Sequence, residues 1–246
     1  MIRLTTIASG SSGNCYTVEC SYDSGSMAKL ILEAGAPIDA VQKALKFDLQ
    51  GLDGVLVSHE HSDHAKYAVS YTERGIKLFA TAGTAHKIGA QRFTTILPLK
   101  TSLKVGHFNV MAFPTEHDAE EPCGFLIDCP DGNRIMFATD TYYLRYRFAG
   151  VTIYMIECNY EERTLCRNIK QGIVHASVGE RVRTSHMSID QCKKVLTINN
   201  MNMVKLILLI HLSNDNGNPE RFRDEVVKAT GKTVKVATKG KVLNIF

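Results

Sequence analysis

The chain has 246 residues, 44% of them hydrophobic and 22% charged, with a formal net charge of +4. That is ample apolar material for a large core in one domain, and it argues against disorder. So weak a positive field is not the broad basic stripe by which binders of long nucleic acids usually advertise themselves.

In chain order, Met1-Ile2-Arg3-Leu4-Thr5-Thr6-Ile7 alternates like a strand and lacks the long apolar stretch of a signal peptide. Seven cysteines, an odd number without C-x-x-C pairs, read as buried thiols of a reducing compartment. Both features lead us to expect a cytoplasmic protein. The region from Ile2 to Leu32 is strand-rich, and Ile38 to Leu45 is helical. The apolar run Val55-Leu56-Val57 predicts a strand, with a helix following from about Asp63 to Arg74. Strands and one helix alternate through Ile153, a polar region follows, and a helix is predicted over Ser188 to Ile198. A strand-helix-strand passage runs from Lys205 to Phe246. The apolar run from Leu206 to Leu212 is far below the roughly 20 residues of a membrane helix and reads as a core strand. No Pro/Gly-rich linker or short-period repeat divides the chain, so residues 1–246 are expected to form one domain. Alternating strands and helices fit two sheets sandwiched between helices.

The chemistry is concentrated in Ser58-His59-Glu60-His61-Ser62-Asp63-His64, directly after the apolar run Val55-Leu56-Val57. Imidazole and carboxylate together are the ligand set of Zn²⁺ or Mn²⁺, and a strand-end loop is where a rigid sheet can hold them. It is not the one-metal H-E-x-x-H helix, because Asp63 stands where the second His would be needed. Alternate residues His59 and His61 reach one ion from an extended loop, whereas Asp63 and His64 point to a second. Other strand ends supply more donors: His117 after Val110-Met111-Ala112-Phe113, Asp140 after Ile135-Met136-Phe137-Ala138, and His211 after Leu206-Ile207-Leu208-Leu209-Ile210. Singly, such residues are usually structural; together they suggest a dinuclear centre. The Gly/Ser turn from Ser9 to Gly13 lacks the ending of a P-loop and reads as a tight hairpin or, alternatively, an anion nest.

These motifs, in this order, resemble the metallo-β-lactamase fold superfamily over essentially the whole chain, whose fold is an αββα four-layer sandwich. Within it, Ala8-Ser9-Gly10-Ser11-Ser12-Gly13-Asn14-Cys15, Ala138-Thr139-Asp140-Thr141, Glu157-Cys158-Asn159-Tyr160, Ser185-His186-Met187-Ser188 and His211-Leu212-Ser213 are similar to the YycJ/WalJ group of phosphodiesterase-like proteins. RNase Z and phage anti-Pycsar cyclic-nucleotide phosphodiesterases share the motif order. Glu33 in Leu32-Glu33-Ala34-Gly35 departs from the pattern, which usually has Asp there. The resemblance implies one metal held by His59, His61 and His117, a second by Asp63, His64 and His211, and Asp140 bridging. Two such ions, Zn²⁺ or alternatively Mn²⁺, make a water acidic and hold the attacking and leaving oxygens, with Asp63 orienting that water. By likeness to RNase Z, His186 protonates the leaving oxygen and Glu157 keeps it cationic. A β-lactam amide hydrolase would not require that pair, and fold alone does not decide function.

Two substrates remain. The chain carries neither the long arm of transfer-RNA processors nor an inserted second domain, which favours a cyclic nucleotide monophosphate, as in host-defence evasion. The YycJ-like signature supports a 5′ exonuclease on single-stranded nucleic acid. Tyr142-Tyr143-Leu144-Arg145-Tyr146-Arg147, with Arg163, Arg167, Lys170, Arg181 and Arg183, offers stacking and charge to either. A third reading, a non-catalytic metal-bound interaction protein, needs a gap in the ligand set, and none is found. The expected partners are a nucleotide or short nucleic acid and, from the resemblance, a second copy in a homodimer; no membrane is expected.

Overall fold

A computed structural model describes residues 1–22 and 25–246. Its strands are β1 (Ile2–Ala8), β2 (Cys15–Tyr22), β3 (Ser26–Leu32), β4 (Leu52–Leu56), β5 (Leu78–Ala80), β6 (Thr94–Ile96), β7 (Ser102–Val105), β8 (Phe108–Pro114), β9 (Cys123–Asp128), β10 (Arg134–Ala138), β11 (Ile153–Glu157), β12 (Leu206–Ile210), β13 (Val234–Val236) and β14 (Val242–Ile245). The helices are α1 (Ile38–Ala44), α2 (Ser62–Ala65), α3 (Ala68–Thr72), α4 (Ala82–Lys87), α5 (Glu162–Lys170), α6 (Ala176–Ser185), α7 (Ile189–Thr197) and α8 (Pro219–Thr230). Two compact units result: Met1–Pro114, Ala119–Ile135 and Thr238–Phe246 make the first, Thr115–Asp118 and Met136–Ala237 the second.

The first unit carries a sheet in the order β14-β1-β2-β3-β4-β5-β6. Its first strands are antiparallel hairpin partners, Tyr16 facing Leu32 and Cys20 facing Ala28, while β3 through β6 run parallel. Parallel strands are covered on both faces and so read as unbroken apolar runs, and Val55, Leu56 and Leu78 are fully buried. Val55 and Leu78 pack with Ile31, Val41 and Tyr71. The same unit holds the antiparallel ladder of β7, β8 and β9.

In the second unit β11, β12 and β13 are parallel, and β12, the apolar run before His211, is buried at every residue. Where a polar region was expected, the chain from Glu162 to Ser185 forms α5 and α6. Leu165 buries against Tyr160 and Val174, and Arg183 closes the pair by binding Glu162 at 2.7 Å. Helix α7 starts where Ser188 accepts the Gln191 N–H, an N-cap that satisfies one orphan donor of the first turn.

The single helix expected from Asp63 to Arg74 is two short ones, α2 and α3. The reason is non-local. The Asp63 carbonyl accepts from Asn14 N at 2.7 Å and the His64 carbonyl from Ala34 N at 2.7 Å, while Tyr67 N donates to Ala34 O at 2.9 Å. Those groups would otherwise have closed the i to i+4 ladder. Among the described residues no helix is long and apolar enough to cross a membrane.

Candidate metal centre

The first unit presents the histidine box beyond the end of β4. His59 and His64 are buried, and the His59 ring packs 4.8 Å from that of His61 and 4.2 Å from that of His64. Ser58 Oγ sits 2.9 Å from His59 Nδ1. His64 is flanked on both ring nitrogens. Its Nδ1 is 3.5 Å from Glu33 Oε2, and its Nε2 is 3.0 Å from Asn14 Nδ2 and 3.2 Å from Asp63 Oδ2. Nε2 thus faces both an amide and a carboxylate, and Nδ1 faces a second carboxylate, so the ring is held in place from both sides.

Glu33 is fully buried and also accepts the Ser58 N–H at 3.3 Å, so its longer arm reaches both the box backbone and the box ring. It does so from a left-handed backbone, φ 67°. Asn14 was legible only as part of a quoted motif. Its Oδ1 accepts from Gly10 N at 2.9 Å and its Nδ2 lies 3.3 Å from Asp63 Oδ2, tying the Gly/Ser turn to the box. Gly13 N also points inward, to Gly10 O, which makes the turn a brace for Asp63.

The second unit gathers His117, Asp140, Glu157, His186 and His211. Asp140 and His211 follow β10 and β12 with φ of 45° and 54°. A non-glycine residue held there is strained by about 1–3 kcal/mol, and such strain clusters at functional sites. His117 Nδ1 is 3.0 Å from Ser185 O, and its Nε2 is 3.6 Å from Asp140 Oδ2. Burial outweighs the nearby carboxylates and lowers its pKa. His211 Nδ1 lies 3.3 Å from Asp140 Oδ1 and 3.1 Å from Glu157 Oε1.

Glu157 is the hub of this unit. It is fully buried, with Oε1 2.8 Å from His186 Nδ1 and Oε2 accepting from Thr141 N at 2.9 Å and Met187 N at 3.2 Å. Burial alone would raise its pKa, but His186 and His211 outweigh it and hold the carboxyl below its usual range. Burial likewise opposes charge on His186, and the Glu157 carboxylate reverses this and raises its pKa. Asn159, quoted in the sequence motifs without a role, donates from Nδ2 to His211 O at 2.8 Å.

The donor set fits a hard or borderline divalent ion. In the second unit one atom each from Asp140, Glu157, His186 and His211 lie within 4.8 Å of one another; the first unit separately carries the three imidazoles and the carboxylate of its histidine box. Outside these clusters, His107 pairs with Asp53 at 3.0 Å and His175 caps α6. Tyr142 and Tyr143 are about half exposed. Arg145 is engaged by Glu116, and Arg181 by Asp118 at 3.0 Å.

Residues 30–212 match the family described as Beta-lactamase superfamily domain, and the chain belongs to it. Exodeoxyribonuclease WalJ of Streptococcus pneumoniae is 26% identical over 232 residues, 87% of this chain and 82% of the relative. Exodeoxyribonuclease YycJ of Bacillus anthracis is 27% identical over 244 residues, 92% and 88% of the two chains. Among solved structures, the metallo-β-lactamase fold protein YhfI from Bacillus subtilis superposes with a TM-score of 0.72 at 16% identity, over 98% of each chain. The fold is therefore the metallo-β-lactamase fold, with two mixed sheets and helices. That fold implies divalent metal ions, and the His/Asp clusters are the residues able to hold them.

Proposed function

We propose that this protein is a metal-dependent phosphodiesterase that removes nucleotides from single-stranded DNA, working from the 5′ end. The carrying observation is the 2.8 Å contact between Glu157 Oε1 and His186 Nδ1. A carboxylate on Nδ1 favours the imidazolium and leaves the Nε2 proton to donate, which is what a departing alkoxide of a phosphodiester needs. The similarity to exodeoxyribonucleases that align with most of this chain supports the DNA exonuclease reading over the cyclic nucleotide one.

In this reading His59, His61 and His117 would hold one ion and Asp63, His64 and His211 the other, with Asp140 available to both. Zinc is the first choice and manganese the alternative. Bound ions supply Lewis-acid stabilisation of the phosphoryl oxygens and an acidic water. Asp63 orients the attacking water, and Asn14 and the Gly/Ser turn hold Asp63. His186 delivers its proton to the leaving oxygen and takes a new one from solvent water, while the Glu157 carboxylate holds the ring in place and favours its charged form. Tyr142 and Tyr143, exposed and two and three residues beyond Asp140, offer a stacking surface for bases. A homodimer in the cytoplasm completes the proposal and rests on family resemblance.

One observation favours a smaller substrate, a cyclic nucleotide monophosphate. Arg145 and Arg181 are engaged by Glu116 and Asp118, which weakens the field available to a polyanion. Incubation with Mn²⁺ or Zn²⁺ and a panel of 5′-labelled single-stranded DNA, RNA, 3′,5′-cyclic nucleotides and a chromogenic phosphodiester separates the two. Stepwise shortening of the labelled DNA, with binding that weakens steeply in salt, is expected. Opening of cyclic nucleotides while labelled strands stay intact would replace the exonuclease with the small-substrate enzyme.

A further inference from the structure

Strands β2 and β9 both touch the histidine box at one end. Before β2, Asn14 meets His64; at the start of β9, Cys123 N donates to Ser58 O at 3.0 Å. Six residues further along each path stand Cys20 and Cys129. At about 3.3 Å per residue this puts both thiols about 20 Å from the box. One comes from the first sheet and the other from the end of the β8–β9 ladder, and both are buried and unoxidised. They meet there with Asp131. One ligand atom from each of Cys20, Cys129 and Asp131 lie within 4.8 Å of one another.

We propose that Cys20, Cys129 and Asp131 form a second metal site, selective for a thiophilic divalent ion such as Zn²⁺ or Cd²⁺, that pins the far ends of β2 and β9 together. Two sulfurs on a tetrahedral zinc stand about 3.8 Å apart, so the cluster reaches ligand spacing with little movement. Asp131 is held in place, and the N-terminal ammonium 3.4 Å from its Oδ2 is the partner a metal would displace. Asn133 donates to it from the backbone at 3.2 Å and from Nδ2 at 2.8 Å, the kind of outer hydrogen bond that orients a ligating carboxylate. The Asp131 carboxylate is only 4% exposed. The two thiols already hydrogen-bond each other, which together with burial pushes the Cys129 thiol up. On binding, both S–H bonds break, two metal–sulfur bonds form, and two protons leave to solvent. A water completes the coordination. The site involves none of the residues assigned to phosphodiester cleavage and stands or falls without that reading.

The test uses the full chain, freed of metal and reduced, titrated with Cd²⁺. Histidine and carboxylate ligands give no sulfur-to-cadmium charge-transfer absorption, so that ultraviolet band reports thiolate ligation alone. The band is expected to rise and saturate, to vanish in Cys20→Ala and in Cys129→Ala, and to persist in His59→Ala. Asp131→Asn leaves both thiols and keeps the test decisive if a cysteine variant fails to fold; it should weaken the apparent Cd²⁺ affinity by about tenfold or more. No band in the native chain, a band that survives both cysteine substitutions, or an affinity unchanged in Asp131→Asn each overturns the proposal.

Discussion

Glu157 Oε1 lies 2.8 Å from His186 Nδ1, and the other oxygen of the same carboxylate accepts the N–H of Met187, the next residue, at 3.2 Å. One buried group thus fixes both the imidazole and the backbone that carries it, while also accepting Thr141 N. Removing it should cost stability as well as activity. Glu157→Ala leaves two buried N–H groups without acceptors, each worth about 1–3 kcal/mol. Urea unfolding should show a loss of about 3 kcal/mol or more; a loss under about 1 kcal/mol would mean water takes over the acceptor role.

His186 should behave differently. His186→Ala is expected to keep the fold and the bound metal but slow cleavage of a natural phosphodiester by roughly 10²- to 10⁴-fold, the usual contribution of a general acid. A nitrophenyl phosphodiester needs little protonation of its departing oxygen, so the loss there should be much smaller. Equal losses on both substrates would assign His186 another job.

Gly35 tests how tightly the box is braced. A Cβ at this position would stand 1.8 Å from the Asp63 carbonyl oxygen and 2.6 Å from Asn14 N, and both are backbone atoms that cannot swing aside. Gly35→Ala should therefore destabilise by about 1–3 kcal/mol and lower metal occupancy along with it. Thermal unfolding and elemental analysis of the same sample check the pairing; full occupancy at native stability contradicts it.

Metal content itself decides the dinuclear reading. After loading and desalting, elemental analysis should find about two divalent ions per chain in the described clusters, beyond any thiolate-bound ion, which Cys20→Ala removes from the count. His59→Ala should lower both occupancy and activity. One ion or fewer in the Cys20→Ala protein sinks the two-metal assignment.

Helices α7 and α8 are joined by Glu225, which accepts from Lys193 Nζ at 2.7 Å and Arg221 Nε at 2.9 Å. The hydrogen bond from Lys193, aided by Arg221, holds its carboxyl below the usual range. A lowered carboxyl contributes stability that is complete above the unfolded value, about 4.3 for Glu, and is lost as pH falls through the folded value. Glu225→Gln should thus melt lower than the parent at neutral pH, with the difference shrinking as pH falls below about 4. A difference as large at about pH 3 as at neutrality would show that the ion pairs are not its origin.

The parts of this protein that the sequence determined are those whose signal is local. Side chains able to hold a metal crowd into Ser58 to His64, and unbroken apolar runs such as Leu206 to Ile210 announce strands covered on both faces, so the strand-end positions of Asp140 and His211 could be read directly. Helix α7 was legible because its Ser188 cap is local too. The remainder depends on groups far apart in the chain. Asn14 and Ala34 capture the hydrogen-bonding groups that would have made one helix of Asp63 to Arg74, and no periodicity within that segment records their approach. Glu33 was readable only as a departure from a pattern; its arm finds His64 and Ser58 because β3 and β4 lie side by side, Leu32 facing Leu56. The polar stretch from Glu162 to Ser185 becomes two helices through Leu165 and the Arg183–Glu162 pair, whose value arises only when the two turns face each other. Cys20 and Cys129, over a hundred residues apart, meet for the same reason: hydrophobic patterning sets which face of a strand is buried, but which strands from two sheets end beside each other is decided by packing of the whole core.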